Sequence, residues 1–317
     1  MSAQDDGWVL TDLGPGGLPP TEAPNPASQG IDAKSALEIV RQIHAEDLRA
    51  FEAVGSALGS IAELAEDVHE AFRRGGRLIY FGAGTSGRLG VLDASECLPT
   101  FGVGPDRVLG FIAGGERALR SPVEGAEDSA DGGAEAVRAA QVGGSDVVCG
   151  IAASGTTPYV WGALREARSR GALAALVTCN PGWAKLEGAS CVSRAVVLDV
   201  GPEILAGSTR MKAGTATKLV LNMLTTTAMI RWGKVHDNLM VDLTPVNRKL
   251  KRRAVGLVTR IAGVDPARAV ELLRATGGDV KAAIVMGGRG VSLESARSLL
   301  ASSEGRLRQA LGGPLRG

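Results

Sequence analysis

The chain has 317 residues, 35 basic and 34 acidic, for a formal net charge of +1. That length allows one large α/β domain with a small satellite, or two modest domains. The charges are spread along the sequence with no basic block to track a phosphate backbone, so nucleic acid is not expected as a partner. Nor is a membrane, because no apolar run is long enough to span one.

The start, Met1-Ser2-Ala3-Gln4-Asp5-Asp6, lacks the basic opening and apolar stretch of a secretory signal, and a cytoplasmic location is expected. Cys97, Cys149, Cys179 and Cys191 show no CxxC pairing and lie mostly inside apolar runs, which reads as buried reduced thiols. His44, His69 and His236 are too dispersed to suggest a zinc cluster, and no metal is expected.

Residues 1–30 are rich in Pro, Gly, Ser and Asp, a mixture that buries too little surface to offset its ordering entropy unless it docks on a partner subunit. From Ser35 onward Leu37, Ile39, Val40 and Ile43 recur at helical spacing, and a second helical stretch covers about 51–72. Short β-rich runs at 77–81, 108–113, 146–152, 172–178 and 195–200 then alternate with helical intervals. This alternation predicts an α/β fold: a doubly wound, five-stranded parallel sheet in flavodoxin-like order, with helices on both faces. A long apolar pattern over 208–232 reads as a buried or subunit-packing helix. Past the basic joint Lys249-Leu250-Lys251-Arg252-Arg253, capping signals at Asp265, Asp279 and Ser292 open three short helices. The expected organisation is an N-terminal segment (1–30), a sheet domain with flanking helices (31–250) and a small helical C-terminal domain (251–317).

Two loops carry the chemistry. Gly82-Ala83-Gly84-Thr85-Ser86-Gly87 follows a strand and opens a helix, so its amides and the helix dipole form an anion- or hydroxyl-binding corner. It also matches GxGxxG, but the dinucleotide reading needs an acidic residue at the end of the second strand to hold the ribose. Asp106 lies before that strand and Glu116 well beyond it, so the anchor is missing. The second loop, Ala153-Ser154-Gly155-Thr156-Thr157-Pro158, supplies three hydroxyls and free amides at another helix start, which suits a phosphate monoester held without a lysine. In the strand order 2-1-3-4-5 both loops flank the crevice where such sheets bind ligands. Ordinary Ser/Thr helix caps account for one such loop more readily than for two at one switch point. A third segment, Gly207-Ser208-Thr209-Arg210-Met211-Lys212, reads either as a capped helix start with surface charges or as further contacts to an anionic substrate through Ser208, Arg210 and Lys212. Glu96 and Glu127 stand near these loops in sequence; taken alone, each is an ordinary surface carboxylate.

Together these stretches resemble the N-acetylmuramic acid 6-phosphate etherases of the sugar isomerase (SIS) superfamily. The resembling segments are Gly76-Arg77-Leu78-Ile79-Tyr80 leading into the first loop, Leu92-Asp93-Ala94-Ser95-Glu96-Cys97, Val123-Glu124-Gly125-Ala126-Glu127-Asp128-Ser129, Gly150 to Gly155, Ser208 to Lys218, and Asn238-Leu239-Met240-Val241-Asp242. The likeness runs from about Thr21 to near the C-terminus, with departures at Leu98, often proline in the family, and His236, more often aromatic. The resemblance implies a cofactor-free, homodimeric lyase that splits the D-lactyl ether of N-acetylmuramic acid 6-phosphate into N-acetylglucosamine 6-phosphate and D-lactate. It places the family's catalytic pair on Glu96, as proton donor to departing lactate, and Glu127, as the second acid/base. Elimination becomes possible once the sugar ring opens, because the C2 hydrogen then lies beside the C1 aldehyde with the ether oxygen on C3. Two glutamates in different environments are enough, one protonated and one ionised. A non-catalytic sugar-phosphate-binding regulator is the alternative, and a nucleotide-dependent oxidoreductase a third reading.

Overall fold

The computed structural model describes residues 19–243 and 245–313. Two helices lead into the sheet, α1 (Ala36–Ser56) and α2 (Leu58–Arg73). Ser35 starts α1 with a reciprocal capping box to Glu38, satisfying two orphan donors at once. The helical stretch expected over 51–72 is therefore two helices, broken at Ala57. In α2, Ile61, Leu64, Ala65, Val68 and Phe72 are buried at the spacing of one helical face.

The βα alternation follows: β1 (Leu78–Gly82), α3 (Gly84–Phe101), β2 (Val108–Ile112), α4 (Gly115–Arg120), α5 (Ala130–Ala139), β3 (Val147–Ile151), α6 (Pro158–Ser169), β4 (Leu173–Thr178) and β5 (Arg194–Val197). The sheet order is β2-β1-β3-β4-β5 and every pair is parallel, as the sequence predicts. Every residue of β1 and β3 is buried, which is why these runs are continuously apolar rather than alternating. One face is covered by α1, α2, α3 and the long helix α7 (Lys212–Arg231), the other chiefly by α5 and α6. Gly87 lets α3 lie close on the strands: a Cβ there would fall 2.6 Å from Ile112 Cγ1 and 2.7 Å from the Gly82 carbonyl oxygen. The thiols of Cys97, Cys149 and Cys179 are buried in these layers, and burial pushes each up to about 12.

α7 starts at Lys212, four residues later than the pattern predicts. The buried carboxylate of Glu203 accepts hydrogen bonds from the amides of Lys212 (3.0 Å) and Ala213 (2.9 Å), so a residue upstream of the usual cap position caps the helix in place of the local hydroxyls. After α7 comes a small hairpin, β6 (Val235–His236) and β7 (Leu239–Met240). The helices α8 (Arg248–Ala262), α9 (Pro266–Ala275), α10 (Val280–Arg289), α11 (Leu293–Ser302) and α12 (Leu307–Ala310) then enclose an apolar cluster of their own together with Val241 and Leu243. Asp265, Asp279 and Ser292 cap α9, α10 and α11 through their side chains. Asp242 joins this region to the end of α7, pairing with both Lys234 (2.8 Å) and Lys281 (2.7 Å).

The N-terminal stretch departs from expectation where it is described. Residues 19–34 form short 3-10 turns packed on their own chain: Thr21 is fully buried, and Asn25 donates to Glu46 (2.8 Å) and to the Pro202 carbonyl (3.1 Å). Long-range polar anchors supply what the composition lacks in apolar surface. Residues 1–18 lie outside the described part. No described helix is long and apolar enough to cross a membrane.

Candidate active site

A crevice of about 810 Å³ opens at the carboxyl ends of β1 and β3, the neighbouring strands between which the winding reverses. The helices that leave these strands, α3 and α6, present their N-termini there, with Gly84, Thr85 and Ser86 on one side and Ser154, Thr156 and Thr157 on the other. The two loops singled out in the sequence therefore meet. Ala113 and Gly114, not an acidic residue, follow β2 where a nucleotide ribose would need its anchor.

Backbone accounting shows what the second loop offers. The Ala153 carbonyl accepts from the Cys179 amide (2.9 Å), that of Ser154 from Asn180 Nδ2 (2.8 Å), and that of Gly155 from Trp161 Nε1 (2.8 Å). With these acceptors satisfied by the protein, and the amides of Gly155, Thr156 and Tyr159 bonded within it, the loop faces the crevice with the hydroxyls of Ser154, Thr156 and Thr157, donors suited to an anion. Ser154 Oγ and Thr156 Oγ1 are 2.9 Å apart and bonded to each other, so a ligand oxygen would exchange one internal bond for two outward ones. Gly155 itself does not line the crevice; it serves through its carbonyl.

Glu127 lines the crevice beside this loop. Its segment is tied down by the Tyr159 amide, which donates to the Glu127 carbonyl (2.9 Å), while Ser129 caps α5. Glu96 does not share the site within one chain: it is exposed on α3 and absent from the crevice wall. One turn before it, Asp93 accepts hydrogen bonds from Tyr80 (2.9 Å) and Thr225 (3.1 Å). Burial raises the Asp93 carboxyl to about 6 against the opposing pull of these bonds and of Lys218.

The third segment contributes less than its composition suggests. Gly207 and Thr209 line the crevice; Ser208 and Arg210 do not. Lys212 is a correction: its side chain is fully buried with Nζ on Glu46, so its ammonium belongs to the core and not to an anionic ligand. Arg88, at the end of the first loop, donates to the carbonyls of Ala118 (2.7 Å) and Leu119 (3.1 Å) and so closes the end of α4.

Sequence reasoning missed Glu22, Asp128, Asn180 and Lys185, all on the crevice wall. Asn180-Pro181-Gly182 follows β4 as a turn signal at the same edge of the sheet and was open to detection. Glu22 carried no signal in composition or spacing, because it lies in a stretch whose composition argues against structure; only the family likeness, which begins at about Thr21, takes it in. Among the described residues no group of three or more His, Cys, Asp or Glu side chains is placed to hold a metal ion.

Residues 60–168 match the family model of the glucokinase regulatory protein N-terminal SIS domain. The chain is 50% identical over 291 residues to the N-acetylmuramic acid 6-phosphate etherase of Actinobacillus pleuropneumoniae serotype 7, covering 92% of this chain and 95% of that one. Against the protein of the same name from Cutibacterium acnes it is 48% identical over 294 residues, 93% of this chain and 96% of that one. Among solved structures, a phosphoheptose isomerase from Francisella tularensis superposes with a TM-score of 0.47 at 14% identity, over 62% of this chain and 100% of that one. The level of identity, sustained over nearly the full length of both partners, places this chain in the N-acetylmuramic acid 6-phosphate etherase family.

Proposed function

We propose that this chain cleaves the D-lactyl ether of N-acetylmuramic acid 6-phosphate in the cytoplasm, by elimination and water addition, in the recycling of cell-wall amino sugars. The observation that carries the reading is the meeting of the Ser154–Thr157 hydroxyl loop, the Gly84–Ser86 loop and Glu127 in one crevice. The Ser154 loop binds the 6-phosphate, remote from the reacting carbons, and so fixes the sugar against Glu127. With the ring open, a carboxylate removes the C2 proton and the electron pair moves toward the C1 aldehyde. Amides of a helix start stabilise the resulting enolate oxygen. The enolate expels the C3 oxygen, which a carboxylic acid protonates as lactate departs; water then adds at C3 and C2 is reprotonated.

The second carboxyl group of this scheme is Glu96, and it reaches a crevice across a homodimer. Glu96 lies on α3 between the exposed Leu92 and Leu98, and α7, which packs against both α1 and α3, exposes Met223 and Ile230. On α1 Leu37, Val40, Leu48 and Phe51 are also exposed. Apolar side chains spread over three adjoining helices support burial against a second copy. The chain divides ahead of α8, since Val241 and Leu243 already pack in the cluster of the helical C-terminal unit.

The test is release of D-lactate from the muramic sugar phosphate. In heavy water deuterium should enter C2 of the product sugar, and oxygen-labelled water should label C3 and not lactate. Direct displacement at the lactyl carbon would label lactate and leave C2 untouched. The family match over residues 60–168 favours a sugar-phosphate-binding regulator as the second reading; binding without turnover would select it.

A further inference from the structure

The elimination needs an open-chain aldehyde, whereas a hexose phosphate is overwhelmingly a closed ring in water. Opening it takes a group that accepts the O1 proton, and histidine is the usual choice near neutral pH. No described histidine lines the crevice: His44 lies on α1, His69 is buried in α2 and His236 is in the β6–β7 hairpin. The ionisable groups on the crevice wall are Glu22, Glu127, Asp128 and Lys185.

Glu22 is the one held from a separate part of the chain, and its placement is built. The Thr21 carbonyl accepts from the Gly207 amide (2.9 Å), Thr21 is buried, and Asn25 anchors the next turn to Glu46. Gly207 has φ +77°, and a Cβ on it would lie 2.8 Å from Glu22 Oε2, so the absence of a side chain there leaves room for the carboxylate. Glu22 is exposed on the wall of the open crevice, and among the described residues its carboxylate has no hydrogen-bond or ion-pair partner within the chain, so a ligand there meets an acceptor that the protein does not occupy.

We propose that Glu22 is a catalytic acid–base residue that opens the sugar ring before the ether is eliminated; this rests on the etherase reading above. The carboxylate takes the O1 proton, the O1–H electron pair becomes the second C1–O bond, and the C1–O5 bond breaks with its pair on O5. O5 takes a proton from water, and the Glu22 carboxylic acid returns its own to solvent, so nothing is oxidised or reduced. Glu127 and Glu96 are thereby left in the protonation states that elimination needs.

The experiment compares substrate carrying hydrogen or deuterium at C2, with lactate release as the readout. In Glu22→Gln, kcat should fall by ~10²-fold or more, the usual worth of a positioned acid–base group. The C2 isotope effect should lie near unity, because the slowed step precedes C–H cleavage. In Glu127→Gln, where proton removal is itself slow, the isotope effect should be expressed in full. The isotope ratio does not depend on the fraction of enzyme folded, so a destabilised variant still reports. A full isotope effect in Glu22→Gln, or a raised KM with kcat intact, overturns the assignment. So does an effect that collapses in Asp128→Asn and not in Glu22→Gln. Absence of lactate release by the unaltered enzyme would instead refute the etherase reading itself.

Discussion

The ammonium of Lys212 meets the carboxylate of Glu46 at 2.5 Å in the interior, joining the first residue of α7 to the middle of α1. Burial alone would raise the Glu46 carboxyl, but hydrogen bonds from Lys212 and Asn25, with the charges of Lys212 and Arg49, outweigh it and hold it below the usual value. Lys212→Met leaves a buried carboxylate facing an apolar chain and should cost about 3–5 kcal/mol, whereas replacing both partners by apolar residues should recover most of that. Urea unfolding of the two single variants and the double variant measures it. A depressed carboxyl stabilises the fold above its unfolded value, so this contribution should fade as pH falls through the folded value. If Lys212→Met raises KM without lowering stability, the lysine serves the substrate after all.

Asp93 acts in the opposite sense. Its carboxyl, raised from 3.8 to about 6, is faced by Tyr80 on β1, Cys149 on β3, Cys97 on its own helix, and Lys218 and Thr225 on α7. The folded state holds this proton more tightly than the unfolded chain, so stability should decline as pH rises from about 4 through about 6 and then level. The shift corresponds to ~2–3 kcal/mol. Asp93→Asn should flatten this part of the stability profile, read as the difference in unfolding free energy between mildly acidic and alkaline buffer. An unchanged slope would place the titration elsewhere.

The proposed seat of the 6-phosphate on the Ser154–Thr157 loop makes a third prediction. Ser154→Ala with Thr156→Ala removes two donors to a charged group, each worth ~1.5–3 kcal/mol. The internal Ser154–Thr156 hydrogen bond is exposed and its loss should leave the fold intact. Affinity for the sugar phosphate should therefore fall steeply while the unfolding midpoint stays near that of the parent. A KM that does not move would put the phosphate at another part of the crevice.

Features written in neighbouring residues are legible in the sequence alone. The sheet strands fall within one to three residues of the apolar runs, and Asp265, Asp279 and Ser292 cap the helices they announce, since a cap needs only the next three residues. Both loops at the switch point follow from the winding order. What stayed hidden depends on partners far along the chain. Lys212 and Glu46 are 166 residues apart, and Asn25 reaches the Pro202 carbonyl across 177, so neither the buried cation nor the ordered strap that carries Glu22 has a local signature. The start of α7 falls later than its apolar pattern predicts for a nearer reason: its cap comes from Glu203, 9 residues before Lys212 and outside the three-residue reach of an ordinary cap. Glu96 is exposed on α3, and no residue of the same chain marks its role.

The last prediction concerns that residue. If Glu96 of one subunit works in the crevice that holds Glu127 of the other, each active site needs one residue from each chain. Glu96→Gln and Glu127→Gln homodimers should then both be nearly inactive. Unfolding and refolding them together makes mixed dimers, in which one crevice carries both substitutions and the other carries none. Half the dimers are mixed at random exchange and half their sites are intact, so about a quarter of the parent activity should return. The double variant Glu96→Gln/Glu127→Gln, mixed with the unaltered chain, is the control, because every crevice of that mixed dimer lacks one glutamate. If the two glutamates instead serve the same chain's crevice, the single variants will not rescue each other. The mixed dimer with the double variant will then keep one good site, reversing the pattern. The readout is lactate release per subunit after exchange, with dimer content checked by sedimentation, so that failed exchange is not taken for failed complementation.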